Sequence, residues 1–284
     1  MVQASEIHVL AAVSTPAIPR FRDHLSKEPL IRLTLVNSHD DTRQILSDSH
    51  KQTDVLLVDN SLGDVFELIK ELRQTYPRLL IVMVDEEADF SMPGQADDVS
   101  VDPFEDDDLV KRIKRLTEER SLETLRADAL PPVRAFAKSL RRAGPGKAKQ
   151  QAAVDAIQEL GYEYVAYYSV VPTTPPELTL GAQIGPDAIT AIAPHKQAYD
   201  GSLVGWVVQN GQSRIVSSRD QPNHPFVKQQ RFGAGVCVPV GQTLRFGVIF
   251  ACREQENAIT QQNVLMLELV SAQLASALAK EARS

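Results

Sequence analysis

Residues 235–252 read GVCVPVGQTLRFGVIFAC, with an apolar run on each side of a short polar interruption. The first run is rich in valine, and the second contains valine, isoleucine and two phenylalanines, all of which favour strands. Gly241 and Gln242 form a turn signal between the runs. The stretch therefore predicts two strands, 234–240 and 244–252, that pair with each other through this turn.

Further strands are predicted on the N-terminal side of this pair, at residues 164–171, 178–182 and 213–217. A short apolar helix is predicted at 203–209 and is followed by the turn signal of Asn210 and Gly211. Longer helical patterns lie at both ends, one leading to Leu160 and one over residues 260–280. Strands in mostly antiparallel succession, with helices at both ends, predict an α+β domain at 147–284 in which helices cover the sheet.

This domain resembles the GAF sensory domain over residues 147–282. Residues 199–217 (YDGSLVGWVVQNGQSRIVS) are similar to the family's glycine-flanked helix and turn, and 223–226 to its short loop that ends in an aromatic residue. Residues 235–252 resemble its paired strands, and 259–274 its closing helix. The family uses the cup between sheet and loops for small ligands or keeps it as a contact surface, so the resemblance implies a sensory or dimerisation module.

The candidate lining of a GAF pocket comes from strands and loops around this cup: Tyr168, His195, Trp206, His224, Phe226, Phe232 and Val236. The aromatic members are equally consistent with simple core packing. His195 and His224 could ligate a haem iron. The alternative is that they are surface or hydrogen-bonded residues, which is the commoner role of loop histidines. Cys237 and Cys252 lie in apolar runs, which favours core packing over the thiol chemistry of GAF-like free-methionine sulfoxide reductases.

Residues 1–117 show a different pattern, in which apolar runs alternate with amphipathic helical segments. Strands are predicted at 7–13, 31–36, 54–58, 79–84 and 99–101. The run at 79–84 is continuously apolar, as a strand buried on both faces requires. The alternation predicts an α/β unit with a doubly wound, parallel, five-stranded sheet, whose site would lie at the carboxyl ends of its strands.

This unit resembles the receiver domain of two-component response regulators, through DVLLVD at 54–59 and ADDVSVDPFEDDDLVKRI at 96–113. The resemblance places Asp59 at the phospho-acceptor position. The family's acidic pair falls on Val13 and Ser14, and its lysine falls on Asp102. Phosphoryl transfer needs a bound metal and a fixed cation. The unit is therefore predicted to be a pseudo-receiver with an inactive Asp59.

A candidate acidic cluster follows from the same strand ends. Asp59, Asp85 and Asp102 would end neighbouring strands, and three carboxylates together could hold a cation. The alternative is that they are solvated acids whose side chains turn apart, and the sequence predicts no metal site.

The two units are joined by a predicted helical connector at 118–146, which is interrupted at the two prolines 131–132 and at 144–146. Between residues 129 and 154 the chain has basic residues and no acids. This stretch is either a solvated hinge or a patch for nucleic acid or an anionic membrane. No aromatic residues are interleaved for base stacking, which favours the hinge.

The composition sets limits on location and partners. The 284 residues carry a net charge of −7, which argues against general nucleic-acid binding. No apolar run approaches the roughly 18 residues of a membrane helix, and no secretory signal is visible. Cysteine usage fits a reducing cytoplasm, so a cytoplasmic location is expected.

The sequence as a whole predicts a non-enzymatic signal-transduction or scaffold protein. No nucleophile–base pair or metal-ligand spacing is visible, so no catalytic residues and no cofactors are expected. The expected partners are a second copy of the chain, a signalling protein that supplies the output, and a small molecule in the GAF domain, with no nucleic acid and no membrane. The alternative is a response regulator controlled by phosphorylation of Asp59.

Overall fold

The structure is a computed structural model that describes residues 6–48, 50–86, 95–127, 131–241 and 244–282. The chain divides into two compact units. The N-terminal unit comprises Met1–Gln74 and Leu79–Glu123, and the C-terminal unit comprises Thr75–Arg78 and Thr124–Ser284. None of the described helices is long and apolar enough to cross a membrane.

Within the described residues, the N-terminal unit contains a five-stranded sheet in the order β2-β1-β3-β4-β5, with every pair parallel. Its strands are β1 (Ile7–Ala12), β2 (Ile31–Val36), β3 (Val55–Asp59), β4 (Leu80–Val84) and β5 (Asp98–Ser100). The predicted five-stranded parallel sheet is thereby confirmed. The strand order changes direction between β1 and β3, and the carboxyl ends of strands at such a point are where open parallel sheets bind ligands.

The helices of this unit are α1 (Ile18–Leu25), α2 (His39–Ser47), α3 (Val65–Thr75) and α4 (Asp108–Ala127). Helix α2 begins at Ser38, whose side chain accepts a hydrogen bond from Asp41 N at 3.1 Å. Phe21 and Leu25 of α1 pack into an apolar core with the strands. Burial of one helix stripe against the sheet is what holds each helix in place.

Arg73 joins the last turn of α3 to the segments around β4 and β5. Its side chain is 8% exposed, Nε donates to Gln95 O at 2.8 Å, and Nη1 donates to Leu79 O. Nη2 donates to the carboxylate of Asp97, which also accepts from Ile81 N at 2.7 Å. The guanidinium therefore has charge compensation and several acceptors although it is buried.

Within its described residues, the C-terminal unit contains a six-stranded antiparallel sheet in the order β8-β7-β6-β11-β10-β9. Its strands are β6 (Tyr164–Val171), β7 (Glu177–Ile184), β8 (Lys196–Gln197), β9 (Arg214–Val216), β10 (Ala234–Val240) and β11 (Gly247–Arg253). The predicted pairing of the two strands within 235–252 is confirmed. Strand β11 begins later than predicted, and part of the predicted turn lies outside the described residues.

Helices cover this sheet, as predicted. They are α5 (Pro131–Arg142), α6 (Lys147–Gln158), α7 (Asp187–Thr190), α8 (Leu203–Asn210), α9 (Pro225–Lys228) and α10 (Gln261–Glu281). Helices α5, α6 and α10 pack on one another and on one face of the sheet, where their apolar residues form a common core with it. Helix α10 begins with a capping box, in which Thr260 and Asn263 satisfy each other's backbone N–H groups.

Helix α8 packs against β10 and β11. It begins at Ser202, whose hydroxyl accepts from Gly205 N at 3.0 Å, and it ends at Gly211, whose φ of 66° is left-handed. A Cβ atom on Gly205 would lie 1.8 Å from Tyr199 O, so only glycine allows this close approach. The helix is therefore placed tightly against the preceding segment, and this fixes the position of Trp206.

Candidate functional site

The strand register divides the side chains of the C-terminal sheet between its two faces. Val236 lies in the core formed with α5, α6 and α10, together with Val165 and Ile249. Side chains alternate along a strand, so the neighbouring residues point to the opposite face. That opposite face, termed here the cup face, carries Tyr164, Tyr168, Cys237, Phe250 and Cys252. Val236, predicted to line the pocket, is therefore on the other side of the sheet.

His224 is at the centre of the cluster on the cup face and is fully buried. Its ring stacks on Phe250, with centroids 3.9 Å apart and an interplanar angle of 22°. Nδ1 accepts a hydrogen bond from Phe226 N at 3.3 Å, so the proton of the neutral ring is on Nε2, which faces the Tyr168 hydroxyl at 3.3 Å. Both ring nitrogens therefore have protein partners, and neither is available to a haem iron in this arrangement.

Burial also determines the protonation of this cluster. It lowers the pKa of His224 from 6.5 to about 3, since a charged imidazolium loses its hydration in an apolar site. Burial raises the pKa of the Tyr164 and Tyr168 hydroxyls well above the ordinary value for tyrosine. The histidine is therefore neutral and both phenols are protonated at physiological pH.

Aromatic contacts extend the cluster on the cup face. The ring of Tyr164 meets Phe226 edge to face at a centroid distance of 5.1 Å and stacks on Phe232 at 6.2 Å. Four predicted pocket residues are thus brought together: Tyr168, His224, Phe226 and Phe232. Tyr164 and Phe250 belong to the same cluster and were missed, although both lie in predicted strands where alternation would have placed them beside Tyr168.

The other predicted pocket residues lie elsewhere. His195 is exposed, and its backbone carbonyl accepts from Leu180 N at 2.8 Å. Trp206 is buried in α8, and its ring lies 5.0 Å from the guanidinium carbon of Arg214. Arg214 was not singled out from the sequence, where the only signal is a basic residue within a short strand. It stands directly opposite Cys237 in the register.

Cys237 and Cys252 are fully buried and unpaired. Burial raises the pKa of both thiols well above the ordinary value. A thiol is nucleophilic as the thiolate, so these two residues are poorly suited to attack a substrate in this conformation.

The carboxyl edge of the N-terminal sheet holds the other candidate residues. The Asp59 carboxylate accepts hydrogen bonds from Ser61 N at 3.1 Å and Ser61 Oγ at 2.7 Å, within its own loop. Asp85 accepts from Asn60 Nδ2 at 3.1 Å, and Asp102 is exposed. Among the residues that the structure describes, which include all three aspartates, no group of three His, Cys, Asp or Glu residues is placed to hold a metal.

Arg20 is a cation on the helix that follows β1. Its Nη1 donates to both carboxylate oxygens of Glu86 at 3.0 Å, and its guanidinium carbon lies 4.1 Å from the ring centroid of Phe104. The charge is therefore engaged by Glu86 and by an aromatic face rather than by Asp59.

The C-terminal unit has a match among known families. Residues 150–279 match the family model of the GAF domain. This region is a GAF domain. A search of curated proteins found no match to the sequence.

Several solved structures are similar to this part of the chain. A free methionine-R-sulfoxide reductase from Neisseria meningitidis in complex with its substrate is 18% identical, covering 52% of this chain and 86% of its own, with a TM-score of 0.46. The GAF domain of an Acinetobacter phosphoenolpyruvate-protein phosphotransferase is 17% identical, over 57% and 95%, with a TM-score of 0.42. A type II free methionine-R-sulfoxide reductase from Thermoplasma acidophilum is 16% identical, over 51% and 96%, with a TM-score of 0.40.

These neighbours correct one prediction. The sequence predicts a protein that is not an enzyme, and this prediction is wrong as stated, because enzymes are among the structures that are similar to this GAF domain. At identities of 14–18% the likeness concerns the fold alone and assigns no activity to this chain.

Proposed function

We propose that the protein is a signal-transduction or scaffold protein in which a pseudo-receiver at 1–117 and a connector at 118–146 precede the GAF domain. The GAF domain, typically a sensory or regulatory module, is the observation that carries this proposal. In the proposal the chain acts as a homodimer, binds a small molecule through the GAF domain, and passes its signal to a partner protein.

The pseudo-receiver is supported by strand order together with local chemistry. Asp59 ends β3 at the carboxyl edge of a parallel sheet with the order β2-β1-β3-β4-β5. The positions where a receiver has its acidic pair and its lysine hold Val13, Ser14 and Asp102. Without carboxylates to bind magnesium and without the lysine, the charge on a transferring phosphoryl group has no compensation.

Phosphorylation is tested on the full-length chain with acetyl phosphate and magnesium, followed by intact mass measurement. We expect no mass increase, while a response regulator with an intact acidic pair, treated in parallel, becomes labelled. Stoichiometric, magnesium-dependent labelling that disappears in Asp59→Asn would overturn the pseudo-receiver and favour a phosphorylation-controlled regulator.

The sensory and homodimer parts of the proposal need separate measurements. The purified chain is incubated with cell extract and then examined by native mass spectrometry for a retained small molecule. Sedimentation at several concentrations gives the oligomeric state. A chain that retains no small molecule contradicts ligand sensing, and a monomer at micromolar concentration contradicts the homodimer.

A further inference from the structure

Arg214 in β9 is an unusual buried charge within the C-terminal unit. The residue is 3% exposed, and its Nη2 donates to Gln221 O at 2.7 Å. Its Nε and Nη1 have no hydrogen-bond partner within the described part of the chain. Arginine stays protonated in proteins, so these are donors of a cation that has been removed from water.

Charge compensation at Arg214 is incomplete. Asp220 is the carboxylate whose charge acts on the guanidinium, but its Oδ2 accepts hydrogen bonds from Ser217 N at 2.6 Å and Ser217 Oγ at 2.7 Å. None of the ion pairs found between described residues includes Arg214. A buried charged donor without an acceptor is strongly unfavourable, and such a group needs an explanation.

A second unpartnered donor lies beside the first. Trp206 is 1% exposed, its indole Nε1 has no partner among the described residues, and its ring lies 5.0 Å from the guanidinium carbon of Arg214. The ring of Tyr76, in the segment Thr75–Arg78 that groups with this unit, lies 5.2 Å from the same carbon. Aromatic rings contact the faces of a guanidinium and leave the N–H groups at its edges free.

The donors of both side chains require an acceptor. Indole N–H and guanidinium N–H groups donate and cannot accept, so a neutral donor or a cation would not satisfy them. A guanidinium binds carboxylate or phosphate oxygens with short, charge-assisted hydrogen bonds, and often with two at once. An oxyanion would therefore supply both the missing acceptors and the missing negative charge.

We propose that Arg214 and Trp206 bind a small oxyanion, a carboxylate or a phosphate, which is the polar head of the ligand of the GAF domain. This inference rests on the proposed sensory function, and it specifies the charge and the acceptor chemistry of the ligand. The hydrophobic cluster around His224 contributes no charged group to the binding of this oxyanion.

Trp206 makes the inference directly measurable, since it is the one tryptophan of the chain. The full-length protein is titrated with inorganic phosphate and, separately, with succinate, with sodium chloride holding the ionic strength constant. We expect a saturable change in tryptophan emission and a rise in melting temperature with at least one of them. The anion that gives the tighter response distinguishes phosphate from carboxylate chemistry.

Two variants locate the response. Arg214→Met removes the charge and keeps a side chain of similar length, and it should weaken binding by at least about tenfold, as loss of a hydrogen bond to a charged group does. Arg219→Gln removes the same charge from an exposed residue nearby and should bind like the wild type.

The inference is overturned if neither anion produces a saturable change, or if Arg214→Met responds like the wild type. If Arg214→Met does not fold, the wild-type melting temperature decides: no rise with phosphate or succinate beyond that with chloride contradicts the site. A neutral small molecule that is retained from extract, with no response to either anion, would refute the oxyanion while leaving the sensory function standing.

Discussion

His224 makes the stability of the GAF domain depend on pH in a way that can be calculated. Its pKa is 6.5 when exposed and about 3 in the folded protein, because burial disfavours the imidazolium. The unfolded chain therefore binds a proton more readily than the folded one, and stability is lost as the pH falls below 6.5. The free energy of unfolding should drop by about 2 kcal/mol between about pH 7.5 and pH 5, and by about 5 kcal/mol in all once the pH is below 3.

The measurement is urea unfolding at about pH 7.5 and pH 5, followed by the emission of Trp206, which lies in the same domain. His224→Asn removes the titrating ring and keeps an oxygen that can cap α9 in place of Nδ1. Its free energy of unfolding should lose about 2 kcal/mol less than that of the wild type over this range. His195→Gln removes an exposed histidine and should keep the wild-type pH dependence.

The other titrating groups are the same in the wild type and in His224→Asn, so their contribution cancels when the two losses of unfolding free energy are subtracted. If the wild type and His224→Asn lose equal stability between the two pH values, the histidine is not buried as neutral imidazole and the reasoning fails. If the loss of stability between the two pH values disappears in His195→Gln, then His195 causes it, and its assignment to His224 is wrong.

Three further predictions concern buried groups. Asp97→Asn leaves Arg73 without its counter-charge and should lower the free energy of unfolding by about 2–3 kcal/mol in denaturant melts. Glu71→Gln breaks an exposed ion pair and should lower it by less than about 1 kcal/mol. Equal losses in the two variants would contradict this prediction. Gly205→Ala places a Cβ atom 1.8 Å from a backbone carbonyl oxygen and should lower the free energy of unfolding by about 3 kcal/mol or more. Gly144→Ala is the control, because its new Cβ atom would lie 3.6 Å from the nearest atom, and it should unfold close to the wild type. Both cysteines are fully buried, so a thiol-reactive disulfide reagent should label neither in the native protein and both in urea; fast native labelling would refute their burial.

The strands could be predicted from the sequence because apolar runs separated by turn residues are strong local signals. The face on which each side chain lies could not be predicted in the same way. In β10 the run GVCVPV is apolar at every position, so alternation gives no indication of which residues face the helices. Val236 was therefore placed on the cup face, whereas its neighbour Cys237 is the residue that lies there.

The candidate site shows the same limit in another form. His195 directly follows a proline and His224 directly precedes one, and both lie in loops. The neighbouring sequence does not indicate that His195 is exposed and His224 fully buried. Arg214 lies in a predicted strand, but its Nε and Nη1 lack partners within the described residues because of side chains distant in sequence, including Trp206. The absence of a catalytic motif was likewise too weak to exclude an enzyme, because catalysis depends on residues brought together by folding.

The pairing of β6 with β11 has a consequence for synthesis of the chain. These two strands lie side by side in the middle of the sheet, although residues 172–246 separate them in sequence. A nascent chain on the ribosome cannot close the sheet until residue 253 has left the exit tunnel. Until then β6 exposes an unpaired edge, and chaperones that shield such edges should associate with this intermediate before the last helix is made.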